Sequence, residues 1–462
     1  MNQIEAYNLL HQGALALSRA EEAGIRVDVD YLERKIKHLA RQMEYYERKF
    51  KESKFYSRWE KFQGDEPNPN STVQLREYLY TELGKKPPKE TEKGFGSVDK
   101  ESLTELNISE LNMLLESRKL KKNMDYLLGF QREAIDGWLH PNFNLHLVKT
   151  YRSSSDHPNF QNIPKRDKEA MKLTRRALFP RPGHQILEVD YSGLEVRIAA
   201  CYHKDPTMIK YLKEGFDMHG DMAVQLFKLD KYDSSNANHA YLRAATKNGF
   251  VFPQFYGDYF GNCAKYLACD WGKLPSGNFL YSQGVDVEPD RSLAKHLVGK
   301  GIRNYKDFTE HVKAIEEDFW GKRFRVYARW KERWWHDYQK KGYVDLYTGF
   351  RCRGMMGKND AINYPIQGAA FHCLLWSLIQ LDYFLYTYKW RSRIIGQIHD
   401  SIVLDVHPDE FFSLIAHIKK ITTEDLPKAW DWIIIPLEVD FEYCEVDAPW
   451  SEKKELESTN GV

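Results

Sequence analysis

The segment Ile394-Ile-Gly-Gln-Ile398-His399-Asp400-Ser401-Ile402-Val-Leu-Asp-Val406 constrains the fold more than any other part of this chain. Two apolar runs flank a polar His-Asp-Ser tip, the signature of a β-hairpin with an acid at its turn. A second apolar run, Ile186-Leu-Glu-Val-Asp190, also ends in an acid and then passes through Ser192-Gly193 into a helical pattern. Asp190 therefore stands at a strand end, where its carboxylate can face a cleft while the strand stays buried. Either aspartate alone reads as an ordinary turn or helix-capping residue. Two carboxylates on two strand ends, however, can share a pair of Mg2+ ions, an arrangement that clamps the attacking and leaving oxygens of a phosphoryl transfer.

A third segment supplies cations. In Arg243-Ala-Ala-Thr-Lys247-Asn-Gly-Phe250-Val-Phe252-Pro-Gln-Phe255-Tyr256-Gly257 the Arg and Lys are four apart and share one helix face. Aromatics follow within two turns. Cations of this kind take a triphosphate while an aromatic ring stacks on a base; alone, the segment also reads as an ordinary amphipathic helix. Overall charge does not discriminate, since 67 Lys and Arg nearly cancel 66 Asp and Glu. Local charge does: from 148 to 181 nine Lys/Arg face three acids, a net of +6 in 34 residues. That run carries Ser153, Ser154, Ser155, Asn159, Gln161 and Asn162, and a basic, amide-rich loop suits phosphates and groove edges.

A chain of 462 residues is too long for one core and implies two to four subdomains. With 42% hydrophobic and 29% charged residues it is not a disordered chain. No apolar run reaches the roughly 18 residues of a membrane span, and residues 1–10 lack a signal-peptide layout. A soluble, cytoplasmic protein without a membrane partner is expected. The six scattered cysteines read as reduced, mostly buried thiols. Residues 1–24 predict a helix closed by Gly24. Asp30 and Glu33 have capping-box spacing, and Leu32, Ile36, Leu39, Met43, Tyr46 and Phe50 form one apolar stripe on the helix that follows. Ser71 with Gln74 opens another helix, running to Gly84. Residues 85–96 form a solvated connection, and 103–130 are helical again. Strands are expected at 144–150 and 185–190, helices from 194 to about 260 and from 319 to 338, and alternating strands and helices after 342. Residues 261–305 show no clear period and belong to an insertion near 261–315.

Taken together, these segments resemble the motifs of family A DNA polymerases, the DNA polymerase I-like enzymes, in the family's chain order. Asp190-Tyr191-Ser192-Gly193-Leu194-Glu195-Val196-Arg197 is similar to DYSxxELR, His399-Asp400-Ser401 to HDE, and Arg243, Lys247, Tyr256 and Gly257 to the RxxxK…YG motif. Thr150-Tyr-Arg152-Ser-Ser-Ser-Asp156-His-Pro-Asn-Phe-Gln161-Asn162-Ile-Pro164 resembles TGRLSSSxPNLQNIP. Asn363-Tyr-Pro365-Ile-Gln367-Gly368-Ala369-Ala370 resembles NxPxQGTAA, and Asp217-Met-His219 resembles the DIH of the fingers. The resemblance covers nearly the whole chain, with 261–315 least matched, and the wording of 247–257 is closest to phage-type members.

The resemblance implies an α+β right hand: a mainly helical thumb with palm-associated helices in 1–150, palm in 151–205 and 340–462, and fingers in 206–339. It implies that Asp190 and Asp400, helped by the Tyr191 carbonyl, hold two Mg2+ ions. Arg243, Lys247, His219, Phe252 and Tyr256 would bind the dNTP, and Glu195 would leave no room for a 2′-hydroxyl. Arg152, Gln161, Asn162, Asn363, Gln367 and His399 would contact primer-template DNA. The minor-groove acceptors that Arg152, Asn162, Asn363 and Gln367 would meet are common to all correct pairs. A monomer without a proofreading exonuclease in this chain is expected, working with a separate exonuclease, helicase or processivity factor. Three departures stand out. Phe252 is five residues after Lys247 rather than four, so counting from Lys247 favours Val251 as the stacking residue and counting back from Tyr256-Gly257 favours Phe252; a π-bulge would absorb the extra residue. Ser401 replaces a Glu, and Asn359 stands where the family often has Arg. Rival readings are a catalytically silent nucleic-acid-binding relative, which predicts loss of a metal acid or the phosphate lysine, and an RNA-synthesising polymerase, which predicts loss of Glu195.

Overall fold

The computed structural model describes residues 2–456 apart from 89, 92, 166, 271–285, 289 and 290. Arg166 of the basic run and the 271–285 part of the expected insertion lie outside the described residues. At the centre is a five-stranded antiparallel sheet made of β1 (Gln185–Tyr191), β2 (Arg393–Ile398), β3 (Ser401–Val406), β4 (Val439–Tyr443) and β5 (Lys454–Glu455). Its order is β2-β3-β1-β4-β5. β2 and β3 are the expected hairpin, with Ile398 paired to Ser401 and His399-Asp400 at the turn. Ser401 pairs with Asp190 on one side of β1, and Asp440 pairs with Asp190 on the other. Both acids thus arrive at the same end of the sheet.

Strand alternation decides which way each residue of β1 points. Leu187, Val189 and Tyr191 enter the main core, while Ile186 joins a second core on the opposite face, the face shared by Glu188 and Asp190. The helix Lys358–Thr387 belongs to the main core, and its Ser377 hydroxyl lies 2.8 Å from the Tyr191 hydroxyl. That helix is long and apolar enough, by length and composition, to cross a membrane, which the run-by-run reading of the sequence missed; 67% of its most apolar stretch is buried inside the protein. Gly368 in this helix lies against the Thr150 carbonyl, where a Cβ would collide with it. That contact seats the Asn363–Gln367 turn of the helix beside the Thr150–Arg152 loop.

The helices Val29–Lys51 and Ser109–Glu133 lie side by side, joined by Leu32, Leu39, Leu120, Leu127 and Phe130 in the second core. A third core around Trp59, Tyr78 and Leu79 closes their far ends. The first of these helices is capped by Asp28, whose carboxylate accepts from the Tyr31 amide at 2.8 Å, and not by Asp30. The strand Ile25–Val27, paired with Trp138–Leu139 and Leu178–Phe179, fixes the chain up to residue 27, so Asp28 is the first residue free to cap. The expected strand over 144–150 also differs. It ends at Asn144, because its partner Ser154–Asp156 spans only three residues and the chain reverses at Tyr151 (φ 60°). Five of the cysteines, at 201, 263, 352, 373 and 444, are buried and unpaired.

Candidate active site

The hairpin tip is tied directly to β1: the Tyr191 amide donates to the Asp400 carbonyl at 3.1 Å. His399 makes the turn in the left-handed region (φ 52°). Behind it Gln397 donates to the His399 carbonyl and accepts from Ser153 at 2.6 Å and from the Gln161 amide at 3.0 Å. Gln161 also donates to the Ser153 hydroxyl at 2.7 Å. Its amide nitrogen is therefore engaged in bracing the tip in the free protein. Asn162 and His399 line a groove shared with Lys119 and Lys122 of the helix Ser109–Glu133 and with Lys165.

Cations stand beside both acids. Lys165 Nζ is 3.2 Å from Asp190 Oδ2. Arg152 spans two carboxylates, with Nη1 3.2 Å from Glu195 Oε1 and Nη2 3.6 Å from Asp400 Oδ1. Burial, joined by the Glu195 and Asp190 charges, pushes the Asp400 carboxyl up to about 6, against the opposing pull of Arg152 and Lys165. The Tyr256 hydroxyl donates to Glu195 Oε2. Burial and that carboxylate raise the phenol pKa, so it stays protonated and remains a donor. A continuous chain Tyr256–Glu195–Arg152–Asp400 thus links the 252–256 helix to the sheet.

The opposite wall is built around a π-turn. Lys247–Val251 is π-helical, and the Phe252 amide bonds back to the Lys247 carbonyl. One extra residue is absorbed in that wide turn. Val251 is fully buried, while Phe252 is half-buried with Lys247 Nζ 5.2 Å above its ring and His219 edge-on at 5.7 Å. The ambiguity between Val251 and Phe252 is thereby resolved as to placement: Phe252 faces the cleft. Arg243 Nε is 2.6 Å from Asp217, which caps the helix carrying His219. Burial, then Arg243 and Lys247, push His219 down to about 4, so it is neutral at pH 7. Burial lowers Lys247, with Arg243 and Lys165 adding to the shift and Asp190 opposing it. Lys247 is thus near enough to Lys165 and Asp190 to feel both charges. Glu195, Phe252, Tyr256, Asn363 and Gln367 together line one pocket, and Asn359 abuts Gly257 (φ 92°).

Two features escaped sequence reasoning. Lys165 lay within the basic run, but nothing local singled it out. Glu188 sits two residues before Asp190 on the same face, wholly buried. It bonds Arg175 at 2.9 Å, Lys453 at 2.7 Å and the Trp450 indole at 3.2 Å, with the Ser401 hydroxyl at 3.5 Å. Period-two spacing put Glu188 beside Asp190, but its partners come from both distant sequence and the chain's last segment.

An antiparallel sheet carrying paired acids, flanked by helical subdomains, is the right-hand fold of nucleotide polymerases, of α+β class. The model of DNA polymerase family A matches residues 30–449. DNA polymerase I of Lactococcus lactis is 29% identical over 82% of this chain and 39% of its own length. That of Aquifex aeolicus is 28% identical over 92% of this chain and 64% of its own. The DNA polymerase of Bacillus phage SP01 is 28% identical over 78% of this chain and 37% of its own. A solved structure of the polymerase domain of Mycobacterium smegmatis Pol1, in complex with DNA primer-template and dNTP, superposes with a TM-score of 0.72 at 24% identity. That alignment covers 96% of this chain and 70% of that one. The chain belongs to DNA polymerase family A. It spans between about two fifths and two thirds of the length of these curated relatives.

Proposed function

We propose that this chain extends a DNA primer on a template with dNTPs, by phosphoryl transfer assisted by two Mg2+ ions held at Asp190 and Asp400. The observation that carries the reading is the placement of these two carboxylates at adjoining strand ends, facing the wall of Lys247 and Phe252. The donor set fits such ions. Mg2+ suits one or two carboxylates completed by substrate phosphates, and two carboxylates with a nearby backbone carbonyl at Tyr191 are such a partial site. Once bound, the ions would acidify the primer 3′-hydroxyl and offset charge at the α-phosphate.

The protein's own groups do the rest. Lys247 and Arg243 hold the triphosphate, Arg243 exchanging Asp217 for phosphate. Neutral His219 offers a hydrogen bond rather than a charge, and Phe252 stacks on the incoming base. Tyr256 fixes Glu195 against the sugar, where its carboxylate excludes a 2′-hydroxyl. Arg152, Asn162, Asn363 and Gln367 meet the primer-template minor groove, with His399 at the primer end. On this reading 1–150 form mainly the thumb, 151–205 and 340–462 the palm, and 206–339 the fingers. The likeness to the phage SP01 enzyme favours a phage replicative setting, which long-product synthesis on a primed single-stranded circle would test. The central test is primer extension with Mg2+, comparing dNTPs with rNTPs, for wild type and Asp400→Asn. Extension with dNTPs alone, lost in the variant, is the expected result. A folded wild type that binds primer-template without extending it would refute the proposal.

A further inference from the structure

Lys165 has no part in the motifs that define the site, yet its ammonium is the nearest cation to Asp190, at 3.2 Å. It follows Pro164 on the loop before the helix Lys168–Arg175, and its side chain is 46% exposed, so it is free to swing. Two further observations bear on what it does there. It lines the groove that runs past Asn162 and His399 to Lys119 and Lys122. It also lies close enough to Lys247 to help lower that lysine's proton affinity, with Asp190 opposing the effect. Two ammonium groups close to one carboxylate make a poor arrangement once that carboxylate is neutralised by another cation. They make a good one when an anion enters between them.

We propose that Lys165 is an exchange cation: it neutralises Asp190 in the metal-free protein, yields that carboxylate to a divalent ion, and then pairs with a phosphate. No bond is made or broken; an ammonium–carboxylate pair is replaced by a metal–carboxylate and an ammonium–phosphate pair. Lys165 is a positioning residue in this scheme, and the phosphate comes either from the nucleotide or from the DNA backbone. The inference rests on the polymerase reading for the origin of the phosphate, and on geometry alone for the competition with metal.

The test begins without nucleotide or DNA. Mn2+ binding to the whole chain is followed by electron paramagnetic resonance for wild type, Lys165→Ala, Lys165→Arg and Asp190→Asn. Removing a half-exposed paired charge beside a divalent site should tighten Mn2+ binding on the order of three- to tenfold. Lys165→Arg should restore the wild-type value, and Asp190→Asn should weaken binding. Steady-state extension at saturating Mg2+ and binding of primer-template across a salt series then identify the phosphate. A raised dNTP KM at near-constant kcat for Lys165→Ala assigns it to the nucleotide. A salt slope reduced by about one assigns it to the DNA. Equal Mn2+ affinity in wild type and Lys165→Ala overturns the proposal. So does tighter Mn2+ binding with neither KM nor salt slope changed, since the lysine would then have no second partner. If wild type fails to extend a primer, the polymerase reading falls, while the Mn2+ titration still decides whether Lys165 competes for Asp190.

Discussion

Replacing Glu188 with Gln should loosen the sheet that carries both acids, and the size of the effect follows from the surroundings of that carboxylate. Burial alone would raise its pKa, but Arg175 and Lys453, with a smaller pull from Lys165, bring it down from 4.5 to about 2. A depression of this size is worth about 3 kcal/mol, at ~1.36 kcal/mol per pH unit. Because the folded-state value is the lower one, this stability is fully present above pH ~4.5 and is lost as the pH falls from there towards about 2. Gln keeps the shape but leaves Arg175, 1% exposed, without its counter-charge, and Lys453, 11% exposed, with Glu442 as its remaining carboxylate partner. Breaking one side of a buried pair typically costs ~3–5 kcal/mol, in line with the titration figure. Local opening is the right measure in a chain with several cores, where one global unfolding energy is poorly defined. Amide hydrogen exchange of peptides covering 185–191 and 439–455 should therefore accelerate by roughly 100-fold at pH 7 in Glu188→Gln. Peptides from the third core, around Trp59, should not change. In wild type, the protection of these same peptides should fall between pH 4.5 and 3, and in the variant this part of the pH dependence should vanish. Equal protection of both proteins at pH 7 would refute the reasoning, because Glu188 would then be contributing no charge-dependent stability.

Three other substitutions probe the cleft. Phe252→Ala should raise the dNTP KM by about 5- to 150-fold, the ~1–3 kcal/mol of one base–aromatic stack; Val251→Ala should lower thermal stability and leave KM unchanged, and the reverse pattern would mean the π-turn is read wrongly. Glu195→Ala should relax dNTP-over-rNTP discrimination by roughly tenfold or more in single-nucleotide incorporation, with Tyr256→Phe moving it in the same direction by less, since the carboxylate remains but loses its donor. Gly368→Ala forces a methyl into the Thr150 carbonyl and should cost about 1–3 kcal/mol in urea denaturation while weakening primer-template binding through the displaced Arg152 loop; a variant with unchanged stability and binding would show that the helix has room to shift.

What could be read from the sequence was set by how local each determinant is. Asp190 and Asp400 were legible because each ends an apolar run whose burial pattern dictates a strand, and a strand end is where a charge escapes the core. The competition between Val251 and Phe252 was only half legible. Spacing shows that a residue is extra, but which side chain faces the cleft depends on where the backbone widens, and the Lys247–Val251 turn decides it. The cap at Asp28 was missed because Asp30 offers the same chemistry two residues later; pairing of Ile25–Val27 with strands more than a hundred residues away made the choice. Gln161 illustrates the same limit at the site. Its motif position suggests a DNA contact, and nothing local shows that its amide is also held by Gln397, 236 residues on.

These cases point to one physical difference between the determinants that a motif records and those that it does not. Motif residues are those whose side chains are needed by the substrate, and most of them are paired with protein groups in the free state: Arg152 with Glu195 and Asp400, Arg243 with Asp217, and Glu195 with Tyr256. On the proposed function, binding of an anionic nucleotide and of cations replaces these pairs rather than adding to them, so the free energy of each contact is a difference between two partners. Lys165 belongs to this set by geometry although no motif contains it. A near-neutral chain can in this way present a strongly polarised cleft whose charges are matched internally in the free state and which, on the proposed function, substrate and metal would rematch.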